Sequence, residues 1–374
     1  MWKNLRKNIF AHLHIFIFAH CPSLPLRAMK RRKESNAVAI WLLIGVAMIM
    51  IQVLLGGITR LTGSGLSITE WKPLLGTVPP LNEQAWNTAF EQYKQIGQFK
   101  KINFDFTLSD FKFIYFWEWF HRVWARLMGV VFAIGFVYFL VKKQFKKEMI
   151  LPMVLLFLLG ALQGAIGWIM VKSGLNEDNL YVNHIRLAIH FIAALGLCCY
   201  VFWFALRLLI SEEQKMHLPS LNGFTILLTL LLVIQLIYGA FMAGLKAAAY
   251  APTWPTINGM WIPEAMNNIF NDPITVQFIH RLLAYLVTIL ILIWWSRALK
   301  LPSTSLFRKT RAIPVILVLL QVGLGIFTVL YSPDRTRLLW LGVSHQFVAM
   351  LLLLSMLWFI FLLEGKNGKA TRPQ

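Results

Sequence analysis

Glu118-Trp119-Phe120-His121-Arg122 lies inside one long apolar stretch of this 374-residue chain, and Gln277-Phe278-Ile279-His280-Arg281 lies inside another, with 159 positions between the two histidines. An apolar run of about 20 residues is long enough, as a helix, to cross roughly 30 Å of hydrocarbon. The chain holds eight such runs, approximately 38–57, 113–141, 150–171, 185–206, 222–245, 276–296, 312–331 and 338–363, separated by Pro, Gly or charge clusters. The two quoted stretches therefore open the second and sixth runs, and they indicate a chain built twice.

Composition agrees with a bilayer as solvent: 58% of residues are hydrophobic and only 14% are charged. A formal net charge of +20 would suit nucleic acid, but the placement of the 36 Lys and Arg argues against that partner. With the N-terminus in the cytoplasm, 22 of them fall in cytoplasmic segments and 11 on the other side. The remaining three, Arg122, Arg126 and Arg281, are counted within helices, and Arg186 at the mouth of the fourth run is counted on the other side. Both termini are thus expected in the cytoplasm. None of Cys21, Cys198 and Cys199 falls in an outer loop, so no disulfide is expected, and the adjacent Cys198 and Cys199 read as packing residues.

The duplication is residue-specific. Ile189-His190-Phe191 in the fourth run answers Ser344-His345-Gln346 in the eighth, so every even run carries one aligned histidine. The odd runs share Gln followed four residues later by Gly: Gln52 and Gly56, Gln163 and Gly167, Gln235 and Gly239, Gln321 and Gly325, each pair on one helix face. The expected architecture is an all-α integral membrane protein of eight transmembrane helices forming two pseudo-symmetric four-helix bundles. Residues 37–210, with a large outer loop at 58–112, make the first; residues 211–363 make the second; 364–374 form a cytoplasmic tail. The even helices begin on the outer side, and each aligned histidine lies about four to eight residues in, roughly 6–12 Å deep at 1.5 Å per residue.

Two histidines at similar depth on two helices of one bundle are placed to face each other across its core. Neutral imidazole is a good ligand for haem iron, and the apolar faces of a porphyrin suit a helix bundle. The odd-helix glycines would let a flat macrocycle approach the backbone, and Arg122 and Arg281 could meet propionate carboxylates. The competing reading, in which histidine and glutamine are helix-to-helix hydrogen-bonding glue, suits a single isolated histidine better than four repeat-matched ones. His184, at the mouth of the fourth helix, has no counterpart and reads as an interfacial polar residue. His217, and His12, His14 and His20 in the leader, have no matched partners either.

The symmetry breaks at one position. Glu118 stands three residues before His121 and shares its helix face, whereas Gln277 stands three before His280 and cannot titrate. An acid beside one haem could act in proton transfer during oxidative chemistry. That makes the first half the reactive one and the second the electron-carrying one. The alternative for Glu118 is an ordinary helix ion pair with Arg122, and the two roles are compatible. The outer loops 58–112 and 246–275, rich in Gly, Pro and Trp, read as folded lids above the histidines.

Residues 37–363 resemble the haem A synthase family. The resemblance is carried by Gly56-Gly57-Ile58-Thr59-Arg60-Leu61-Thr62 with Ser64-Gly65-Leu66-Ser67, by Glu118-Trp119-Phe120-His121-Arg122, and by Thr253-Trp254-Pro255 with Asn258-Gly259-Met260-Trp261-Ile262-Pro263. It implies that His280 and His345 hold a haem B cofactor, while the first bundle, with His121, His190 and Glu118, receives haem O as substrate. It further implies that the C8 methyl of haem O is hydroxylated twice and that the gem-diol loses water to leave the formyl group of haem A, for cytochrome oxidase biogenesis. The absence of a cysteine pair in the first outer loop makes the chain similar to the proteobacterial and mitochondrial type. The inner membrane of a Gram-negative bacterium is the expected location, ahead of the mitochondrial inner membrane. The expected partners are lipid, a haem O synthase and an unidentified electron donor, with a homo-oligomer left open.

Two other classes compete: a di-haem b-type membrane cytochrome that only transfers electrons, and a transporter built on repeats. The first leaves Glu118 and the loop motifs unexplained, and the second leaves the histidine pairs unexplained. Residues 1–36 match nothing in the family. Met29 directly before Lys30-Arg31-Arg32-Lys33 makes a natural start, so this segment reads as cytoplasmic with a mis-assigned start, a cleaved targeting peptide being the alternative.

Overall fold

The computed structural model describes residues 33–70, 75–176 and 179–365, so the expectations for residues 1–32 and for most of the tail lie outside the described residues. Among the described residues, eight helices are long and apolar enough to cross a membrane. They are α1 (Lys33–Leu61), α4 (Leu108–Val141), α5 (Lys147–Lys172), α6 (His184–Leu209), α7 (Pro219–Leu245), α8 (Pro273–Leu299), α10 (Ile313–Leu330, preceded by the short α9, Ser305–Thr310) and α11 (Arg335–Leu363). Between α1 and α4 lie α2 (Glu83–Lys94) and α3 (Gly97–Lys101). The chain is a multi-pass, all-α membrane protein.

The helix pairings of the first half recur in the second. In the first half α1 packs on α4 and α6, and α5 packs on α4 and α6; in the second, α7 packs on α8 and α11, and α10 packs on α8 and α11. The halves meet where α6 touches α7 and where α11 touches α1 and α6. This seam sets burial. The apolar part of α11 is 72% buried within the protein, whereas that of α4 is 6% buried and leaves Phe113, Val130, Ile134 and Val137 exposed on its flank. Such a flank is stable only against lipid. Away from the histidines, aromatic packing fills the core of the second half, with Trp294 of α8 wholly buried, 4.7 Å from Phe359 of α11 by ring centroids and donating its Nε1–H to Thr225 Oγ1 of α7.

All four histidine-bearing helices start on one side of the protein, and each start is fixed by a polar side chain that accepts orphan backbone N–H groups. Thr107 caps α4 in a reciprocal capping box with Asp110, and Asn183, Asp272 and Asp334 cap α6, α8 and α11. These helices begin one to five residues ahead of the apolar runs because their first turns are polar. The largest extension is in α4, where Phe111 and Ile114 are buried against Leu66, Phe90, Tyr93 and Ile96. The segment between α1 and α4 is thus a folded cap with a core of its own. Phe90 stacks on Phe111 at 5.0 Å, and Gly97 N–H and Gln98 Nε2 reach the carbonyls of Asn176 and Leu180 in the next loop on the same side. The Tyr93 phenol, donating to Gln98 Oε1 and accepting from Asn103 Nδ2, is pushed up to about 12 by burial.

Two residues singled out in the sequence have structural partners. His184 meets the carbonyl of Phe270 through Nε2 at 2.9 Å and so ties the start of α6 to the loop before α8. His217 Nδ1 donates to the carbonyl of Gly365 at 2.7 Å, beside a backbone bridge between 217 and 364. Cys198 is buried in the main hydrophobic core, with Cys199 packed against it.

Candidate functional site

Each of the four matched histidines is seated on the preceding long helix by the Gln and Gly of that helix. His121 Nε2 meets Gln52 Nε2 at 3.2 Å, His280 Nε2 meets Gln235 Nε2 at 3.4 Å, and His345 Nε2 meets Gln321 Nε2 at 3.1 Å. His190 meets Gln163 Nε2 through Nδ1 instead, at 3.2 Å, and the same amide donates to the His190 carbonyl. His345 is held at a second point, where Nδ1 donates to the Gln321 carbonyl at 3.1 Å. A carbonyl only accepts, so this bond puts the proton on Nδ1, and the Nε2 lone pair accepts the Gln321 amide N–H.

The four glycines shape the seats as well. They face the imidazole edge, and it is the histidine ring that approaches the backbone. A Cβ at Gly56 or Gly239 would stand 3.3 Å from Cε1 of His121 or His280; at Gly167 or Gly325 it would stand 2.8 or 2.9 Å from Cε1 of His190 or His345. The spacing of four residues is therefore a seat in which Gln binds a ring nitrogen and Gly, one turn on, admits the ring.

All four histidines and all four glutamines line one cavity of about 1780 Å³. Pockets for a single drug-sized ligand run roughly 300–1,000 Å³, so this space suits two large ligands or one very large one. The rings of His280 and His345 lie 6.4 Å apart at 71°.

Comparison with known proteins decides the family. The family described as "Cytochrome oxidase assembly protein" matches residues 39–357. The chain is 39% identical over 351 residues to "Heme A synthase" of Nitrosospira multiformis, covering 91% of this chain and 97% of that one. It is 42% identical over 333 residues to "Heme A synthase" of Flavobacterium psychrophilum, covering 86% and 96%, and 38% identical over 329 residues to that of Paracoccus denitrificans, covering 85% of each. The chain belongs to the haem A synthase family.

The motif residues that carry the resemblance to haem A synthases build the loop side of the cavity. After α1, Thr59 and Thr62 bond back to the carbonyls of Leu55 and Ile58, Gly63 takes φ +74°, and the Thr62 and Ser64 hydroxyls share a hydrogen bond of 2.6 Å. This turn delivers Ser67 and Ile68 to Glu118, which is 2% exposed and accepts the Ser67 hydroxyl at 2.7 Å and the Ile68 N–H at 2.8 Å on Oε2. Its Oε1 pairs with Arg122 at 2.6 Å, so the helix ion pair weighed from the sequence is present. Arg122 also donates to the carbonyls of Ile68 and Glu70.

The second half repeats this clasp with opposite polarity. Gln277 donates to the Ala251 carbonyl at 2.9 Å, and Arg281 donates to the carbonyls of Thr253 and Thr256 at 2.7 and 3.1 Å. Thr253 and Asn258 hold that turn, Asn258 Nδ2 reaching the Tyr250 carbonyl. In both halves the residue three before the histidine and the arginine one after it pin a loop over the imidazole. Both arginines line the cavity with much of their hydrogen-bonding capacity already used.

The donor set fits an iron porphyrin. Metal–imidazole bonds are about 2 Å, and about 1 Å more separates each nitrogen from its ring centre. Two rings on one iron would therefore stand about 6 Å apart, close to the 6.4 Å between His280 and His345. The cavity wall is mostly apolar, with Trp41, Leu156, Phe157, Leu232 and Val318 among its lining, as a macrocycle requires. His121 Nδ1, His280 Nδ1 and the amide oxygens of all four glutamines are buried without a hydrogen-bond partner, unusual for a finished interior.

Proposed function

We propose that this chain is a haem A synthase that oxidises the C8 methyl of haem O to the formyl group of haem A for cytochrome oxidase biogenesis. Two successive hydroxylations, each adding an oxygen atom from an external oxidant and removing two electrons from the methyl carbon, give a gem-diol, which loses water. The reading is carried by the four repeat-related His–Gln–Gly seats around one large cavity in a chain of this family.

His280 and His345 would hold haem B, and His121 and His190 would hold the iron of the substrate haem O. Haem B supplies one-electron redox chemistry to the site. Gln235 and Gln321 orient its two imidazoles, and the Nδ1–H bond of His345 to the Gln321 carbonyl sets that ring's tautomer. In the first half Gln52 and Gln163 do the same for His121 and His190. Glu118 is the acid of this half. It fixes Ser67, Ile68 and Arg122 in place and is the group from which protons are exchanged with the reacting region. Arg122 and Arg281 hold the loops down, which excludes water, and offer their remaining N–H donors to carboxylates.

The first half, residues 37–210, is accordingly the substrate half, and residues 211–363 the cofactor half. The chain spans the inner membrane of a Gram-negative bacterium with both termini in the cytoplasm, as its Lys and Arg distribution supports. It takes haem O from the enzyme that makes it and electrons from a separate donor.

The test is pigment analysis of the purified protein with conversion of supplied haem O. Wild type should form haem A. His280→Ala should lose the resident haem B spectrum, while Glu118→Gln should keep that spectrum and lose conversion. The opposite pattern would exchange the roles of the halves, and a wild-type chain with two haems but no haem A would be an electron-transfer cytochrome.

A further inference from the structure

Arg60, Tyr181 and Lys246 meet at the seam between the halves, on the loop side of the cavity they all line. The Arg60 guanidinium lies 5.4 Å from the Tyr181 ring centre and the Lys246 ammonium 3.8 Å from it. Two cations thus share one aromatic ring. Arg60 spends one bond on the Gly244 carbonyl at 2.9 Å, and its Nε–H is buried with no acceptor. Among the described residues neither cation is paired with an acid. Two unneutralised cations on the wall of a mostly apolar cavity call for an anion.

The backbone supports the same conclusion. The 183-residue spacing that relates Gln52 to Gln235 also relates Gly63 to Lys246, and both sit just past a helix end in the left-handed region, at φ +74° and +53°. That conformation is disfavoured for a residue with a Cβ. Glycine occupies it in the first half, and the second half carries a lysine there, its ammonium turned onto Tyr181. Arg60 stands four residues beyond Gly56, and Lys246 seven beyond Gly239. At 1.5 Å per residue the cations lie roughly 6 and 10 Å outward of the histidine seats.

We propose that Arg60 and Lys246 form an anion site at the junction of the halves that binds a carboxylate side chain of a tetrapyrrole seated in the cavity. This rests on the haem reading above and adds to it a site across the two halves, since Arg122 and Arg281 spend donors on loop carbonyls while Arg60 Nε and the Lys246 ammonium have no such acceptor.

The experiment is an absorbance titration of the full-length, haem-depleted protein in detergent with ferric haem B and with its dimethyl ester, which lacks the carboxylates. Wild type should bind the free acid about tenfold tighter than the diester. Lys246→Gly, which restores the residue of the repeat and suits the backbone, and Arg60→Gln should each lower that ratio several-fold by weakening the free acid alone. An unchanged ratio in both variants, or no preference in wild type, overturns the proposal. If Arg60→Gln fails to fold through loss of its bond to Gly244, Lys246→Gly decides alone. An unchanged ratio accompanied by loss of co-purified anionic phospholipid assigns the cations to a lipid phosphate and equally overturns it. No spectral change with either porphyrin would instead sink the haem reading itself.

Discussion

Replacing each seat glycine by alanine should divide the four histidines into a tolerant and an intolerant pair. Carbon atoms in contact prefer about 3.5–4.0 Å, so a Cβ at Gly56 or Gly239, 3.3 Å from the histidine Cε1, needs a retreat of about 0.2 Å. At Gly167 and Gly325, with 2.8 and 2.9 Å, the retreat is about 0.6–0.7 Å. The rings also differ in freedom. His345 is held at both nitrogens by Gln321, and Gln163 grips His190 at Nδ1 and at its carbonyl, whereas His121 and His280 have no partner at Nδ1. Overpacking costs about 1–3 kcal/mol, and alanine recovers about 1 kcal/mol of helix propensity over glycine. Gly56→Ala and Gly239→Ala should be near neutral, while Gly167→Ala and Gly325→Ala should lose about 1–2 kcal/mol and rotate their imidazoles. The assay is thermal unfolding in detergent together with the absorbance spectrum of the resident pigment. Gly325→Ala should lose the pigment that Gly239→Ala retains, although both belong to one proposed haem site. Equal behaviour of all four variants, or loss in Gly239→Ala alone, would refute the reasoning.

Three further outcomes follow from the geometry. Glu118→Gln places an amide against the Ser67 and Ile68 donors and removes the charge facing Arg122; with Arg122 partly exposed, about 1–3 kcal/mol of local stability should go, read as faster hydrogen exchange in residues 64–70, and unchanged protection there would show that the clasp does not hold the loop. Gly57→Ala drives a Cβ into Gln346 Oε1 and should destabilise by about 1–3 kcal/mol; adding Gln346→Ala should recover part of this in thermal unfolding, despite losing the bond to the Val53 carbonyl, and strict additivity would place the strain elsewhere. Because burial raises the Tyr93 phenol from 10 to about 12, its contribution is complete below pH 10 and lost as pH rises through 12; proteolysis of the 83–103 cap should accelerate over that window in wild type and show no such step in Tyr93→Phe.

Membrane placement, the number of spanning helices and the duplication were legible in the sequence because they rest on quantities local to the chain: run length, apolar content and residues that recur at one spacing. The His121 and His280 segments, the Gln and Gly four apart, and the replacement of Glu118 by Gln277 are all pattern. Helix starts were less legible, since capping residues such as Thr107 and Asp334 lie outside the apolar windows and α4 gains about one and a half turns from Phe111 and Ile114 packing under a cap that folds from distant residues. The purpose of the glycines could not be read, because a glycine reports only that something approaches, and whether that is a macrocycle or an imidazole depends on how two helices rotate against each other. The same limit applies to Arg60, Tyr181 and Lys246, which come from three separated segments with no shared motif. The chain alone determined which residues are repeated. Only the packing of α1, α6, α7 and α11 decided which unrepeated ones meet, because in lipid the rotation and crossing of helices are fixed by close side-chain contacts, which no local pattern records.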